Sequence, residues 1–110
     1  MENKRIAQLQ EFLIDTPKDA FLNYALAIEY VGMEKDHLAQ PIFEQLLVEQ
    51  PEYTATYYHL GKLYERANRK DDAETTYKKG IATTMKNREQ HALAELQNAL
   101  TNLWIDDDDD

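Results

Sequence analysis

The 110-residue chain has no cysteine and no serine, only three glycines and three prolines, and no long apolar run. Each absence closes a class of function. Without cysteine there are no disulfides, thiolate metal sites or thiol nucleophiles. Without serine or a glycine-rich run there is neither a serine nucleophile nor a loop to cradle phosphate. Few glycines and prolines beside abundant Ala, Leu, Glu, Gln and Lys point to an all-helical protein. No stretch approaches the ~20 apolar residues that span a bilayer. The opening Met1 to Ile6 lacks an apolar stretch of signal-peptide length, so a cytoplasmic location is expected.

Basic charge is scarce as well. Lys and Arg number 12 against 21 Asp and Glu, for a net charge of −9. Five of the acids form the terminal run Asp106 to Asp110, which leaves 16 acidic residues against 12 basic ones in the body. Phosphate and anionic lipid surfaces are repelled by such a balance, so neither nucleic acid nor membrane is an expected partner. The Asp run reads as a solvated tail; adjacent carboxylates do not make a cage for Ca²⁺.

What the sequence does have is a period of 34 residues. Pro17 recurs as Pro51, Leu26 as Leu60, Tyr30 as Tyr64 and Ala39 as Ala73. Two columns reach back to the N-terminal segment: Leu9, Phe43, Tyr77 and Leu13, Leu47, Ile81. The strongest stretch is Tyr57-Tyr58-His59-Leu60-Gly61-Lys62-Leu63-Tyr64, followed by Ala73 and, four residues on, Tyr77. Antiparallel helices approach closely only where side chains are small. Gly61 and Ala73 are therefore expected to mark a crossing, with Tyr57, Leu60, Tyr64 and Tyr77 filling the space around it.

This spacing resembles the tetratricopeptide repeat, aromatic-x₂-Leu-Gly-x₂-Tyr then Ala-x₃-aromatic. The resemblance implies an all-α fold: a short right-handed α-solenoid of antiparallel helix pairs, about six helices, with two full repeats flanked by half-repeats. Residues 1–105 then form a single domain. It divides into an N-terminal half-repeat (1–17), a first repeat (18–51), a second (52–85) and a capping helix (86–105), followed by the acidic tail (106–110).

Local signals set the expected helices. The first covers 2–15 with Ile6, Leu9 and Leu13 as its apolar stripe, and Pro17 stops it. Asp19 caps the next, 20–32, which ends near Gly32. Asp36 is expected to cap a helix over 37–50, in which Pro41 delays the start or introduces a kink. The fourth spans 53–67 and stops near Asn68, a residue tolerant of the left-handed conformation. Asp71 with Glu74 resembles a capping box for the fifth. That helix runs to about 85 or a little further, since Met85 stands in the slot of Pro17 and Pro51. The sixth, 88–105, carries Leu93, Leu96, Leu100 and Leu103. Nothing in the sequence places Trp104.

The resemblance also implies that the first helix of each pair lines a concave groove. By that mapping the groove takes Phe21, Tyr24, Ile28 and Val31 from the first repeat, and Tyr58, Lys62, Glu65 and His59 from the second. A two-residue slip adds His91, Ala94 and Asn98 from the last helix. Tyr24 and Tyr58 hold the same repeat position, and core packing does not account for them, which makes them candidate anchors. Some members grip a chaperone's C-terminal carboxylate with Lys, Arg and Asn. Here Tyr24, Ile28 and His59 stand in those places and leave Lys62 as the groove cation, so an apolar or aromatic ligand is implied instead. None of His37, His59 and His91 has a second His or a carboxylate at ligand spacing, so no metal, cofactor or catalytic set is expected. The resulting expectation is a non-catalytic adaptor taking a peptide or helix from an unidentified protein. A self-associating unit, dimerising through the groove or a terminal helix, is the alternative, and a carrier of a small molecule or acyl chain is a third.

Overall fold

The structure, a computed structural model, describes residues 3–105. The acidic tail and the Glu2 start expected for the first helix lie outside the described residues. Six helices and no strands are present among the described residues: α1 (Lys4–Asp15), α2 (Ala20–Gly32), α3 (Asp36–Glu49), α4 (Ala55–Arg66), α5 (Lys70–Lys86) and α6 (Gln90–Leu103). The chain gathers into two compact units, Met1–Tyr53 and Thr54–Asp110.

In the first unit the Asn3 side chain caps α1, accepting from the backbone N–H groups of Arg5 and Ile6 at 2.9 and 3.1 Å. Leu9, Ala25 and Leu26 are buried together, with Ile6, Leu13, Leu22, Tyr30 and Ile42 packed against them. The α1 stripe therefore meets α2, as its spacing requires. Asp19 caps α2 as expected, its carboxylate accepting from the Leu22 N–H at 2.9 Å. Ala27, Ala39 and Phe43 are completely buried where α2 meets α3.

Two expectations for α3 need correction. Its N-cap is Lys35, without a side-chain hydrogen bond, and Asp36 is the first helical residue. An acid in the first turn still complements the helix dipole. Of the two outcomes expected of Pro41, the delayed start does not occur: α3 begins five residues earlier and runs through it.

In the second unit α5 packs against both α4 and α6. Gly61 does mark a close approach, and the atoms nearest to it belong to Tyr77, one of the residues expected to fill the space around it. A Cβ on Gly61 would lie 2.2 Å from Cε1 of Tyr77 and 2.6 Å from its Cζ. The absent side chain makes room for an aromatic ring. Gly80 plays a similar part on α5, where a Cβ would meet Tyr57 Cβ at 2.7 Å and Leu96 Cδ1 at 2.9 Å. The α6 stripe is slightly displaced from expectation: Leu96, Ala99 and Leu103 are buried, while Leu93 and Leu100 are half-buried. No capping box forms on α5. Its N-cap is Arg69, and Asp71 and Asp72 sit in the first turn, with Asp72 paired to Arg69 at 2.8 Å.

Two kinds of joint connect the helices. After α1 and α3 the chain leaves the helical region at Thr16 and Gln50 (φ −133°, ψ 68° and φ −140°, ψ 67°), in keeping with the steric pressure of the following Pro17 and Pro51 against helical backbone. The other three joints are left-handed turns at Glu34, Asn68 and Arg88, with φ of 60°, 62° and 59°. Each is closed by the same long backbone bond: Lys35 N–H to Tyr30 O, Arg69 to Tyr64 and Glu89 to Thr84, at 2.8–2.9 Å. This is the Schellman pattern, which satisfies the last free carbonyls of a helix. Asn68 was legible as such a turn. Gly32 was not its counterpart, because it is the last residue of α2 and the left-handed position falls at Glu34.

Candidate binding faces

On the first unit the expected groove residues lie on α2. Phe21 is 57% exposed, and Ile28 and Val31 are half-buried. Tyr24 is not free of packing, contrary to expectation. Its half-buried ring lies 5.6 Å from that of Tyr53 and 6.3 Å from that of Phe43, both tilted, which is favourable aromatic geometry. The contact with Tyr53 comes from the segment after α3, which helical periodicity could not place.

On the second unit the helical register does bring candidates together. Tyr58 and Lys62 on α4 and Asn98 on α6 line one cleft of about 170 Å³, with Glu95, Ala99 and Asn102. Glu95 and Asn102 escaped sequence reading. The available signal was their spacing from Asn98, one helical turn back and one forward, on the same side of α6. Lys62 Nζ stands 5.7 Å from the centre of the Tyr58 ring and 3.8 Å from Glu65 Oε2. Glu65 also accepts a hydrogen bond from the Tyr77 hydroxyl. Burial, followed by that bond to a carboxylate, holds the Tyr77 phenol far above its ordinary range, so it remains a donor. Glu65 is thus tied to the packing of α5.

His59 is half-buried and meets the Tyr58 ring edge-on at 5.4 Å. Burial pushes its pKa down, with Arg66 acting the same way and Glu95 opposing. His91 and Ala94 are exposed, and His91 Nε2 lies 3.6 Å from Glu95 one turn along. That pair sets one carboxylate a turn away from a histidine. Among the described residues, no group of three or more His, Asp and Glu converges as a metal site. Trp104 now has a place: it ends α6, 41% exposed, with Lys70 Nζ 5.4 Å from its ring centre.

Helix pairs joined by Schellman turns, glycine where a ring must pass, and proline at the joints between repeats define an all-α helical-repeat protein of the α-solenoid class. The tetratricopeptide-repeat family model matches residues 37–96, and the chain belongs to that family. It is 44% identical to a tetratricopeptide repeat domain protein from Salinibacter ruber solved by crystallography, over 78% of this chain and 96% of that one, with a TM-score of 0.76. A solution NMR structure of a tetratricopeptide repeat domain protein from the same organism matches at 45% identity, covering 79% of this chain and 88% of that one, again at 0.76. A protein from Bordetella parapertussis shares the fold across 97% of this chain and 92% of its own, at 23% identity and a TM-score of 0.82. No curated protein matches the chain. Repeats of this family generally mediate protein–protein interaction, and no helix among the described residues is long and apolar enough to cross a membrane.

Proposed function

We propose that the protein is a non-catalytic cytoplasmic adaptor that holds a segment of another protein against the exposed faces of its first helices. The observation that carries this reading is the cleft of the second unit, where Tyr58, Lys62 and Asn98 line one concavity. Tyr58 brings a half-exposed aromatic face whose hydroxyl has no hydrogen bond among the described residues. That combination of apolar area and polar tip suits a recognition anchor. On the first unit, Phe21 offers a second, apolar anchor, with Ile28 beside it on α2 and Tyr24 held largely as packing. Glu65 contributes by fixing Lys62 from behind.

The test is capture of partners from the native cell, followed by affinity measurement on the purified pair. Tyr58→Ala is expected to lower affinity at least tenfold, the loss typical of an aromatic hot spot costing ~2 kcal/mol or more. Its melting temperature should stay close to that of the parent. Full partner binding by a folded Tyr58→Ala would overturn the reading. A concentration-dependent dimer in sedimentation, lost in the same variant, would place the self-associating alternative first.

A further inference from the structure

We propose that the cleft of the second unit is a receptor for one cationic side chain of the partner, with arginine preferred to lysine. This rests on the reading of that cleft as a binding site and adds what it selects. Size sets the first limit. About 170 Å³ is well below the ~300–1,000 Å³ of pockets that enclose a drug-sized ligand, and suits a single side chain.

Charge sets the second. The cleft holds one ammonium, Lys62, and one carboxylate, Glu95. Lys62 is already compensated by Glu65 at 3.8 Å and by the Tyr58 ring, while Glu65 is itself held by Tyr77. Among the described residues Glu95 has no comparable partner. Its one ion-pair contact among them is His91 at 3.6 Å, whose side chain is 93% exposed and which pairs as a cation only when protonated. His59, the other imidazole near Glu95, is shifted towards its neutral form by burial, against the pull of Glu95. The charge left over at the cleft is therefore negative.

Hydrogen bonding sets the third. The side chains of Asn98 and Asn102, one turn apart on α6, have no hydrogen bond among the described residues. Their carbonyl oxygens, with the Glu95 carboxylate one turn before Asn98, form a row of acceptors along one side of the helix. A guanidinium presents five N–H donors in a planar fork that can engage a carboxylate and an amide oxygen together. An ammonium on a flexible stem offers three donors and less directionality.

The experiment is an NMR titration of the ¹⁵N-labelled full chain with N-acetyl-arginine N-methylamide, following the side-chain amide signals of Asn98 and Asn102. The lysine and aspartate analogues serve as comparisons. The arginine probe should shift both amides in a saturable way and bind more tightly than the lysine probe, while the aspartate probe leaves them in place. Glu95→Gln should weaken the arginine probe at least fivefold, and Lys62→Met, which removes a like charge, should strengthen it. Equal response to the aspartate probe, indifference to Glu95→Gln, or no saturable shift with arginine would each overturn the proposal. Failure of the underlying reading is seen separately, as a folded Tyr58→Ala that keeps its captured partner. If Tyr58→Ala loses that partner and Glu95→Gln does not, the site stands and its cationic preference falls.

Discussion

Tyr77 and Phe43 occupy one repeat position and differ by a single hydroxyl, and the residues at the matching positions opposite them differ as well. In the first repeat the ring of Phe43 shares its position in the core with Ala27, and Val31 stands one turn further along α2. The corresponding trio in the second repeat is Tyr77, Gly61 and Glu65. The hydroxyl reaches Glu65, and the ring then lies where an alanine Cβ would have to be. A methyl group at Gly61 should therefore destabilise the protein by ~1–3 kcal/mol or more, as overpacking of a well-filled site does. Tyr77→Phe, freed from Glu65, should recover part of that loss when combined with Gly61→Ala. Thermal denaturation of the two single variants and the double variant decides it. A Gly61→Ala protein melting like the parent would mean the ring has room to move.

This trio also shows where sequence reading stopped. Gly61 was legible as a close approach, because a small residue among aromatics has few other uses. Tyr77 was legible among the four residues around it; that its ring, rather than another, lies against Gly61 was not, since this depends on a side-chain torsion and a polar partner. Glu65 was read as groove-facing for the same reason: the helical wheel fixes its direction but not its bond to Tyr77.

At the scale of helices and their joints, the two proline joints and the turn at Asn68 were legible from residue type. The turns at Glu34 and Arg88 were not, because neither residue favours a positive φ. Both pay steric strain in that conformation. Arg88→Gly is therefore expected to raise stability by up to ~1 kcal/mol, the relief of strain exceeding glycine's greater freedom in the unfolded chain. Urea denaturation at constant m-value would register this as a higher midpoint. A midpoint at or below that of the parent would show that the Arg88 side chain stabilises the turn by more than its backbone costs. The reason α6 departs from the 34-residue period is visible at the same scale. The residue corresponding to Gln50 is Thr84, which is still helical and wholly buried, its hydroxyl bonded to Gly80 O at 2.8 Å. The helix continues to Lys86 and ends in a turn of the kind otherwise found inside a repeat.

For the whole molecule, pH dependence follows from His59. Its pKa is lowered by burial in the folded state, so the unfolded chain binds the proton more readily. Stability conferred by the neutral imidazole is present above the unfolded value of about 6.5, declines as pH falls through it, and levels off below the folded value. Urea midpoints at pH 7.5 and 5.5 should differ, the acid value being lower, and His59→Gln should narrow the gap. An unchanged gap would assign the acid sensitivity to other groups. Charge is also unevenly distributed along the chain. Residues 3–53 carry four Lys and Arg against nine Asp and Glu, whereas 54–105 carry eight against six. A composition total conceals this division. It also conceals the local imbalance at Glu95, which only helix packing brings beside Tyr58.

The two kinds of joint govern how such a gene can lengthen. A block from Pro17 to Gln50 starts and finishes at equivalent proline joints, so a tandem duplication of those 34 codons would leave every cap, turn and buried column in register. The same duplication with its boundary after Thr84 would cut through a continuous helix at a buried residue. Insertion of whole modules is thus open at the proline joints and closed at Thr84.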